Sequence, residues 1–170
     1  KIFFMILFGG INMAVRQLRF NKDEILRKKC KDVADVNDKV RQLLDDMMDT
    51  LHASDNGAAL AANQVGLLRR LVVVDYEGHY LKLVNPLIIE EAGEQECIEG
   101  CLSFPGIFGK TKRPKKIKVE ALNENGQKIT LQFEGEMAKC LCHEIDHLDG
   151  VMYVDKVEGK LLDTETEDEE

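Results

Sequence analysis

The chain has 170 residues, of which 44% are hydrophobic and 32% are charged. This length predicts one domain with a single core, and the composition excludes a disordered chain, a collagen-like chain and a disulfide-rich miniprotein. The formal net charge of −8 comes mostly from residues 158–170, so the rest of the chain is nearly neutral and lacks the basic excess typical of a DNA-binding protein.

The first apolar segment, residues 2–8, is too short to cross a membrane, because a spanning helix needs about 20 apolar residues. No small-residue cleavage site follows it, so we interpret residues 1–12 as a non-native extension and Met13 as the natural first residue. The five cysteines are odd in number and form no CxxC pair, which favours a reducing compartment. We therefore expect a cytoplasmic protein with no membrane partner.

Two helices are predicted, one on each side of the central part of the chain. Apolar residues at helical spacing from Val36 to Leu51 predict a long amphipathic N-terminal helix, which the turn residues 55–57 end. The same spacing returns from Met137 to Leu148 and predicts a second helix. Asp149-Gly150 is a typical helix stop.

Two β-hairpins are predicted between these helices. Residues 71–75 and 80–84 are short apolar or β-branched runs on either side of Glu77-Gly78. Residues 117–122 and 129–133 flank a second turn at 123–126. We therefore predict an α+β fold, with a single domain of antiparallel sheet packed around the second helix. This domain is expected over residues 13–157, followed by an acidic flexible tail over 158–170.

The second predicted helix carries the motif HExxH at residues 143–147. A four-residue spacing places His143 and His147 on one helix face, about 6 Å apart along the axis, where both can bind one metal ion. Glu144 lies one step round the helix, so its carboxylate can act as a general base without binding the metal. The alternative is a surface helix with two chance histidines.

A third ligand must come from elsewhere, because a catalytic tetrahedral site needs three protein ligands and one open position. No histidine follows His147, so the longer zincin motif is absent from the sequence. Cys101 is the best candidate, since it lies in a predicted loop beside Gly100, where the backbone can approach a ligand closely. We interpret the other four cysteines as small buried hydrophobic residues: Cys30, Cys97, Cys140 and Cys142.

Three motifs together resemble the signatures of the peptide deformylase family, in that family's chain order. They are GAALAANQ at residues 57–64, EGCLS at 99–103 and HEIDH at 143–147. The resemblance runs from about Met13 to Val157. It implies a metal-dependent hydrolase that removes the formyl group from the N-terminal formylmethionine of new polypeptides.

The resemblance also implies roles for individual residues. Cys101, His143 and His147 would bind the metal, and Glu144 would transfer the proton. The Gln64 side-chain amide and the Leu102 backbone N–H would stabilise the oxyanion. The expected native metal is Fe²⁺, while Zn²⁺, Ni²⁺ or Co²⁺ could occupy the purified protein; thiolate and imidazole ligands alone do not choose between them.

Four residues are candidates for substrate binding by their position near the motifs: Ala58, Ala59, Leu102 and Cys140. Each could equally be an ordinary core residue. Ala59 stands where the family usually has a second glycine, so its β-carbon could crowd a peptide substrate. Further from the metal, we expect Glu99 to pair with Arg113 and Asp146 to brace an imidazole.

Three alternatives to an active deformylase remain open from the sequence. An HExxH metallopeptidase would share the metal and base but cut peptide bonds. A binding protein with a structural metal would need a fourth protein ligand, and none is suitably spaced. A deformylase homologue could have reduced activity because of Ala59.

The expected partners are N-formylmethionyl nascent peptides, and we expect a monomer. A basic run over residues 110–118 favours a solvated strand edge that discourages pairing with other strands. It also suggests transient contact with the ribosome.

Overall fold

The structure is a computed structural model that describes residues 14–164. Two α-helices and eight β-strands are found in these residues. In chain order they are α1 (Asp38–His52), β1 (Ala59–Ala61), β2 (Leu71–Tyr76), β3 (His79–Ala92), β4 (Gln95–Cys101), β5 (Phe104–Arg113), β6 (Lys116–Leu122), β7 (Lys128–Glu134), α2 (Glu136–Leu148) and β8 (Leu162–Asp163).

The strands form two antiparallel sheets. The larger sheet has five strands in the order β1-β2-β3-β6-β7, and the smaller has three in the order β4-β5-β8. Both predicted hairpins are present, because β2 pairs with β3 from Tyr76–His79 onwards and β6 pairs with β7 along its whole length. The prediction of a single α+β domain built on antiparallel sheet is confirmed.

Helix α1 covers one side of the larger sheet. The Asn37 side chain caps its start by accepting a hydrogen bond from the Val40 N–H at 3.1 Å, so Val36 lies just before the helix. The buried stripe of α1 packs with apolar residues of β1 and β2, and its members are Val40, Leu44, Met47, Met48 and Leu51. Burying this stripe fixes α1 against the sheet.

Helix α2 packs against the strands of the larger sheet and is buried over most of its length. It ends at Leu148, and Gly150 follows with a φ of +74° while its N–H donates to the His147 carbonyl. An added β-carbon at Gly150 would collide with the backbone carbonyl oxygen of Arg27. Only glycine fits this close approach, which holds the end of α2 against the N-terminal segment.

The smaller sheet was not predicted, and it changes the interpretation of Cys101. The prediction placed this cysteine in a loop, whereas it is the last residue of β4, next to a register shift in the β4–β5 pairing. The alternation of buried and exposed positions along β4 was hidden because a glutamate fills a buried position.

The end of the chain also differs from the predicted tail. Leu162–Asp163 pairs with β5, so residues 158–164 are not free of the domain. Residues 165–170, and the predicted extension over residues 1–12, lie outside the described residues. Within residues 14–164, no helix is long and apolar enough to span a membrane.

Candidate active site

Three side chains that could hold a metal ion meet where the end of β4 faces α2. The Cys101 Sγ lies 3.3 Å from the His147 Nε2, which lies 3.2 Å from the His143 Nε2. All three atoms fall within 4.8 Å of one another. One thiolate and two imidazoles at this separation fit a transition-metal ion that retains an open position.

Local structure explains why these atoms converge. The two histidines are one turn apart on α2, so they share the face that points away from the larger sheet's core. The register shift between Glu99 and Cys101 ends the regular β4–β5 pairing and turns the chain at Leu102. The Ser103 N–H then donates to the Cys101 Sγ at 3.4 Å, which orients the thiol towards α2.

A buried ion network braces His143 from behind. The Nδ1 of His143 lies 2.7 Å from a Glu99 oxygen, and Arg113 holds the same carboxylate through its Nε at 2.5 Å and its Nη2 at 3.0 Å. Burial alone would raise the pKa of Glu99, but the hydrogen bonds from His143 and Arg113 hold it well below its usual range. A charged Glu99 requires a proton on Nδ1, which leaves Nε2 of His143 for a metal.

The expected pair of Glu99 and Arg113 is present, but Asp146 has a different role from the predicted one. Asp146 accepts a hydrogen bond from the Arg113 Nη1 at 2.6 Å and pairs with Lys156 at 2.8 Å. It therefore supports the imidazole only through Arg113, because Glu99 already occupies the position beside the ring.

Stacking holds the His143 ring in place, and burial keeps the His147 ring neutral. Tyr153 stacks on His143 with ring centroids 5.7 Å apart and an interplanar angle of 22°, and its hydroxyl donates to the Ile107 carbonyl at 2.6 Å. Burial lowers the pKa of His147 and keeps its ring neutral. A neutral imidazole is the form that binds a metal. Tyr153 was not predicted as part of the site.

Glu144 lies beside these side chains with a carboxylate oxygen that has no hydrogen-bond partner among the described residues. The residue is 5% exposed and lines the pocket described below. Burial raises the pKa of Glu144 to about 7. A carboxyl group that titrates near neutral pH is suited to both accept and return a proton.

Gln64 contacts Cys101 from a separate element, a short 3-10 helix over Ala62–Val65. Its Oε1 accepts a hydrogen bond from the Ala61 N–H at 2.9 Å, so the amide Nε2 faces the site. The Nε2 donates to the Ser103 Oγ at 3.1 Å and to the Cys101 Sγ at 3.4 Å. Gln64 is thus a preoriented hydrogen-bond donor next to Cys101.

The N-terminal segment holds both sides of this arrangement through its backbone. The Arg19 N–H donates to the Gln64 carbonyl at 2.7 Å, and the Asn21 N–H donates to the Ser103 carbonyl at 2.9 Å. Two residues from the beginning of the described chain therefore connect the Gln64 helix to the cysteine turn.

A pocket of about 570 Å³ opens directly onto His143, Cys101 and Glu144. All four predicted substrate-binding residues line it: Ala58, Ala59, Leu102 and Cys140. Burial strongly raises the pKa of the Cys140 thiol, which therefore forms an uncharged part of the wall. The other three cysteines outside the metal cluster are buried, and none lines this pocket: Cys30, Cys97 and Cys142.

The pocket also includes residues that sequence reasoning missed, among them Tyr76, Ile98 and Phe108. Ile98 and Phe108 come from β4 and β5, so they could have been found only if these strands had been recognised. The signal was an apolar side chain at an outward position of each strand, close to Cys101.

Comparisons with known proteins agree on one family. The family model described as polypeptide deformylase matches residues 15–161. Peptide deformylase 2 of Clostridium acetobutylicum is 61% identical over 145 residues, which are 85% of this chain and 97% of the relative.

Two solved structures are also similar to this chain. A peptide deformylase from Synechococcus elongatus in complex with actinonin has a TM-score of 0.83 at 37% identity, covering 88% of this chain and 82% of that one. A class I type b peptide deformylase from Acinetobacter baumannii with Met-Ala-Ser bound has a TM-score of 0.81 at 28% identity, covering 85% and 99%. Both similarities extend over most of the fold that positions the metal cluster.

Proposed function

The chain belongs to the peptide deformylase family, and we infer from this membership how its residues carry out the family's reaction. The protein is a metal-dependent hydrolase that removes the formyl group from the N-terminal formylmethionine of newly made polypeptides, giving formate and a free N-terminal methionine. The main observation that supports this function is that Cys101, His143 and His147 converge beside Glu144, at a pocket that can admit a substrate. The metallopeptidase and reduced-activity alternatives are not favoured.

Cys101 Sγ, His143 Nε2 and His147 Nε2 would together hold one divalent cation. When bound, the cation polarises the formyl carbonyl and lowers the pKa of water, which are the two functions of a Lewis acid in amide hydrolysis. Membership of the family supports Fe²⁺ as the native metal, with Zn²⁺, Ni²⁺ or Co²⁺ as possible occupants. The donor set itself fits each of these ions.

Glu144 transfers the proton. Its unpartnered oxygen accepts a proton from the attacking water, and the protonated carboxyl group then donates it to the departing amine nitrogen. The raised pKa of Glu144 supports both steps, because neither protonation state is strongly disfavoured near neutral pH.

Gln64 and the backbone N–H of Leu102 donate hydrogen bonds to the oxyanion that forms at the formyl carbon. The orientation of Gln64 supports this role, because its amide nitrogen already faces Cys101. One of its two present hydrogen bonds must be redirected to the oxyanion. The bond to the Cys101 Sγ is the longer one, at 3.4 Å, and is the weaker of the two.

The peptide lies between two sheet edges. β1 and β4 are the outer strands of their sheets, and both contribute residues to the pocket. The backbone groups on an outer strand can pair with an extended peptide. The structural relative with bound Met-Ala-Ser supports a site that accepts methionine and the residues after it.

The direct test is formate release from a formyl-Met peptide by protein loaded anaerobically with Fe²⁺, with a Zn²⁺-loaded sample in parallel. Glu144→Gln should retain the metal while its kcat falls by about 10²–10⁴-fold, the usual contribution of a positioned acid–base residue. Turnover at the unchanged rate would remove Glu144 from this role. Internal cleavage of an unformylated protein would instead favour the metallopeptidase.

We further propose a cytoplasmic monomer that contacts the ribosome transiently. Arg113 of the basic run is buried against Glu99. Three lysines of the run form ion pairs: Lys112, Lys116 and Lys118. These pairs reduce the charge available to RNA, so the test is whether ribosome binding weakens as salt rises.

A further inference from the structure

The outward face of the smaller sheet changes from charged to apolar as it approaches the pocket. Away from the pocket, this face carries Glu96 on β4 opposite Lys112 on β5, while Lys110 lies directly opposite Ile98. Nearer the pocket, it carries Ile98 and Phe108, which are 59% and 38% exposed. Both side chains line the same pocket as Cys101 and Glu144. We call these two residues the apolar rim.

Close packing holds the apolar rim in place. The Phe108 ring lies over Gly100, where an added β-carbon would be 2.6 Å from Cε1 and 2.8 Å from Cδ1. Ile98 is two residues before Gly100 on β4 and therefore points to the same face. The missing side chain at Gly100 lets the ring lie flat against the strand directly before Cys101. Phe108 is thus packed beside Cys101, and Ile98 is exposed on the same face.

A single exposed apolar side chain is ordinary in proteins, but two that flank a substrate pocket suggest a ligand. The apolar rim itself offers no charge and no hydrogen-bond donor to a ligand. A polar peptide side chain placed against the rim would lose hydrogen bonds to water without gaining one from Ile98 or Phe108. An apolar peptide side chain would instead bury apolar surface there.

We propose that Ile98 and Phe108 determine specificity by selecting peptides that have an apolar side chain within the two residues after the formylmethionine. This inference rests on the proposed function. The rim and the proposed metal ligands line one pocket, so a peptide with its formyl group at the metal lies within reach of the rim. Side chains of an extended peptide alternate in direction, so the preference falls on one of the two positions.

The test uses two peptide series, formyl-Met-X-Ala and formyl-Met-Ala-X, with X as Leu or Ser. Formate release gives the Leu-to-Ser ratio of kcat/KM for each series. The expected ratio is about tenfold at one position, the lower end of what a methylene group is worth in an enclosed apolar pocket, because the rim is partly exposed. Ile98→Thr keeps a β-branched residue on the strand and should bring this ratio close to one, with metal content unchanged.

Leu87→Thr is the matched control, because Leu87 is 57% exposed on a strand but does not line the pocket. Its ratio should equal that of the unaltered protein. A ratio near one in the unaltered protein, or an equal fall in both variants, would overturn the proposal. An unchanged ratio in Ile98→Thr would also overturn it. If this variant also had a lower mass in ultracentrifugation than the unaltered protein, the rim would be assigned to contact between copies.

Failure of the underlying function would look different. In that case no peptide of either series would release formate, whatever residue follows the methionine. Release from all peptides at the same rate would reject only the selectivity.

Discussion

Replacing Glu99 with glutamine tests whether the buried ion network behind His143 supports both the fold and the metal site. The carboxylate accepts four hydrogen bonds, from the Thr111 Oγ1, from the Nε and Nη2 of Arg113, and from the His143 Nδ1. An amide removes the charge and turns one acceptor into a donor that faces other donors. Arg113 then stays buried with a single remaining anionic partner, Asp146.

The size of the effect follows from the burial of this network. Removing one partner of a buried ion pair usually costs about 3–5 kcal/mol of unfolding free energy. Because Asp146 still holds Arg113, we expect the lower end, about 3 kcal/mol, which corresponds to a Tm lower by roughly 6–12 °C for a protein of this length. Loss of the acceptor at Nδ1 should also weaken metal binding by about 10–100-fold.

The assays are thermal denaturation and competition for the metal with a chelator. Glu90→Gln is the control, since Glu90 forms an ion pair with Lys118 at 2.6 Å but its side chain is 65% exposed. That variant should change neither quantity measurably, because solvent screens an exposed pair. If Glu99→Gln has the Tm and metal affinity of the unaltered protein, the bracing role of Glu99 is refuted.

Two more substitutions test the site and the end of α2. Gln64→Leu should keep its metal and lose about 10²–10³-fold in kcat, the usual cost of one oxyanion donor, and an unchanged kcat would exclude Gln64 from that role. Gly150→Ala should lower the unfolding free energy by at least about 1–2 kcal/mol, because a left-handed backbone disfavours alanine and the β-carbon meets Arg27. Urea denaturation measures this loss, and a stability equal to that of the unaltered protein would contradict the close packing at Gly150.

Much of the fold could be predicted because the periodicity of the apolar residues matches the element. Helix α1 and the hairpin strands β2–β3 and β6–β7 bury one regular stripe or face, so their sequences carry the pattern directly. β1 has only three residues, all apolar and all buried, and leaves no alternation to detect.

The smaller sheet could not be predicted because each face of its strands β4 and β5 mixes polar and apolar residues. Charged and polar residues fill inward positions, where Glu99, Thr111 and Arg113 form the network behind His143. Apolar residues fill outward positions at Ile98 and Phe108, beside the pocket. Because both faces of β4 and β5 are mixed, hydrophobic alternation alone does not distinguish these strands from a loop.

The convergence of Cys101, His143 and His147 could be predicted because a helix fixes the spacing of the two histidines, and the motif order supplied the cysteine. Their supporting contacts could be predicted only in part. Glu99 and Arg113 pair as expected, but the stacking of Tyr153 on His143 joins positions ten residues apart that lie in different elements. Such a contact depends on how the chain turns after α2, which no local pattern indicates.

The two backbone hydrogen bonds from Arg19 and Asn21 connect the N-terminal segment to both sides of the candidate site. Neither bond depends on a side chain, so side-chain substitution at these positions would leave both in place. Proteolytic cleavage after residue 21 would remove both at once and leave only the side-chain hydrogen bonds of Gln64 to link its helix with the cysteine turn. Activity should then decline while the helix that carries the histidines stays folded, so catalytic competence and overall structure would be lost at different stages of digestion.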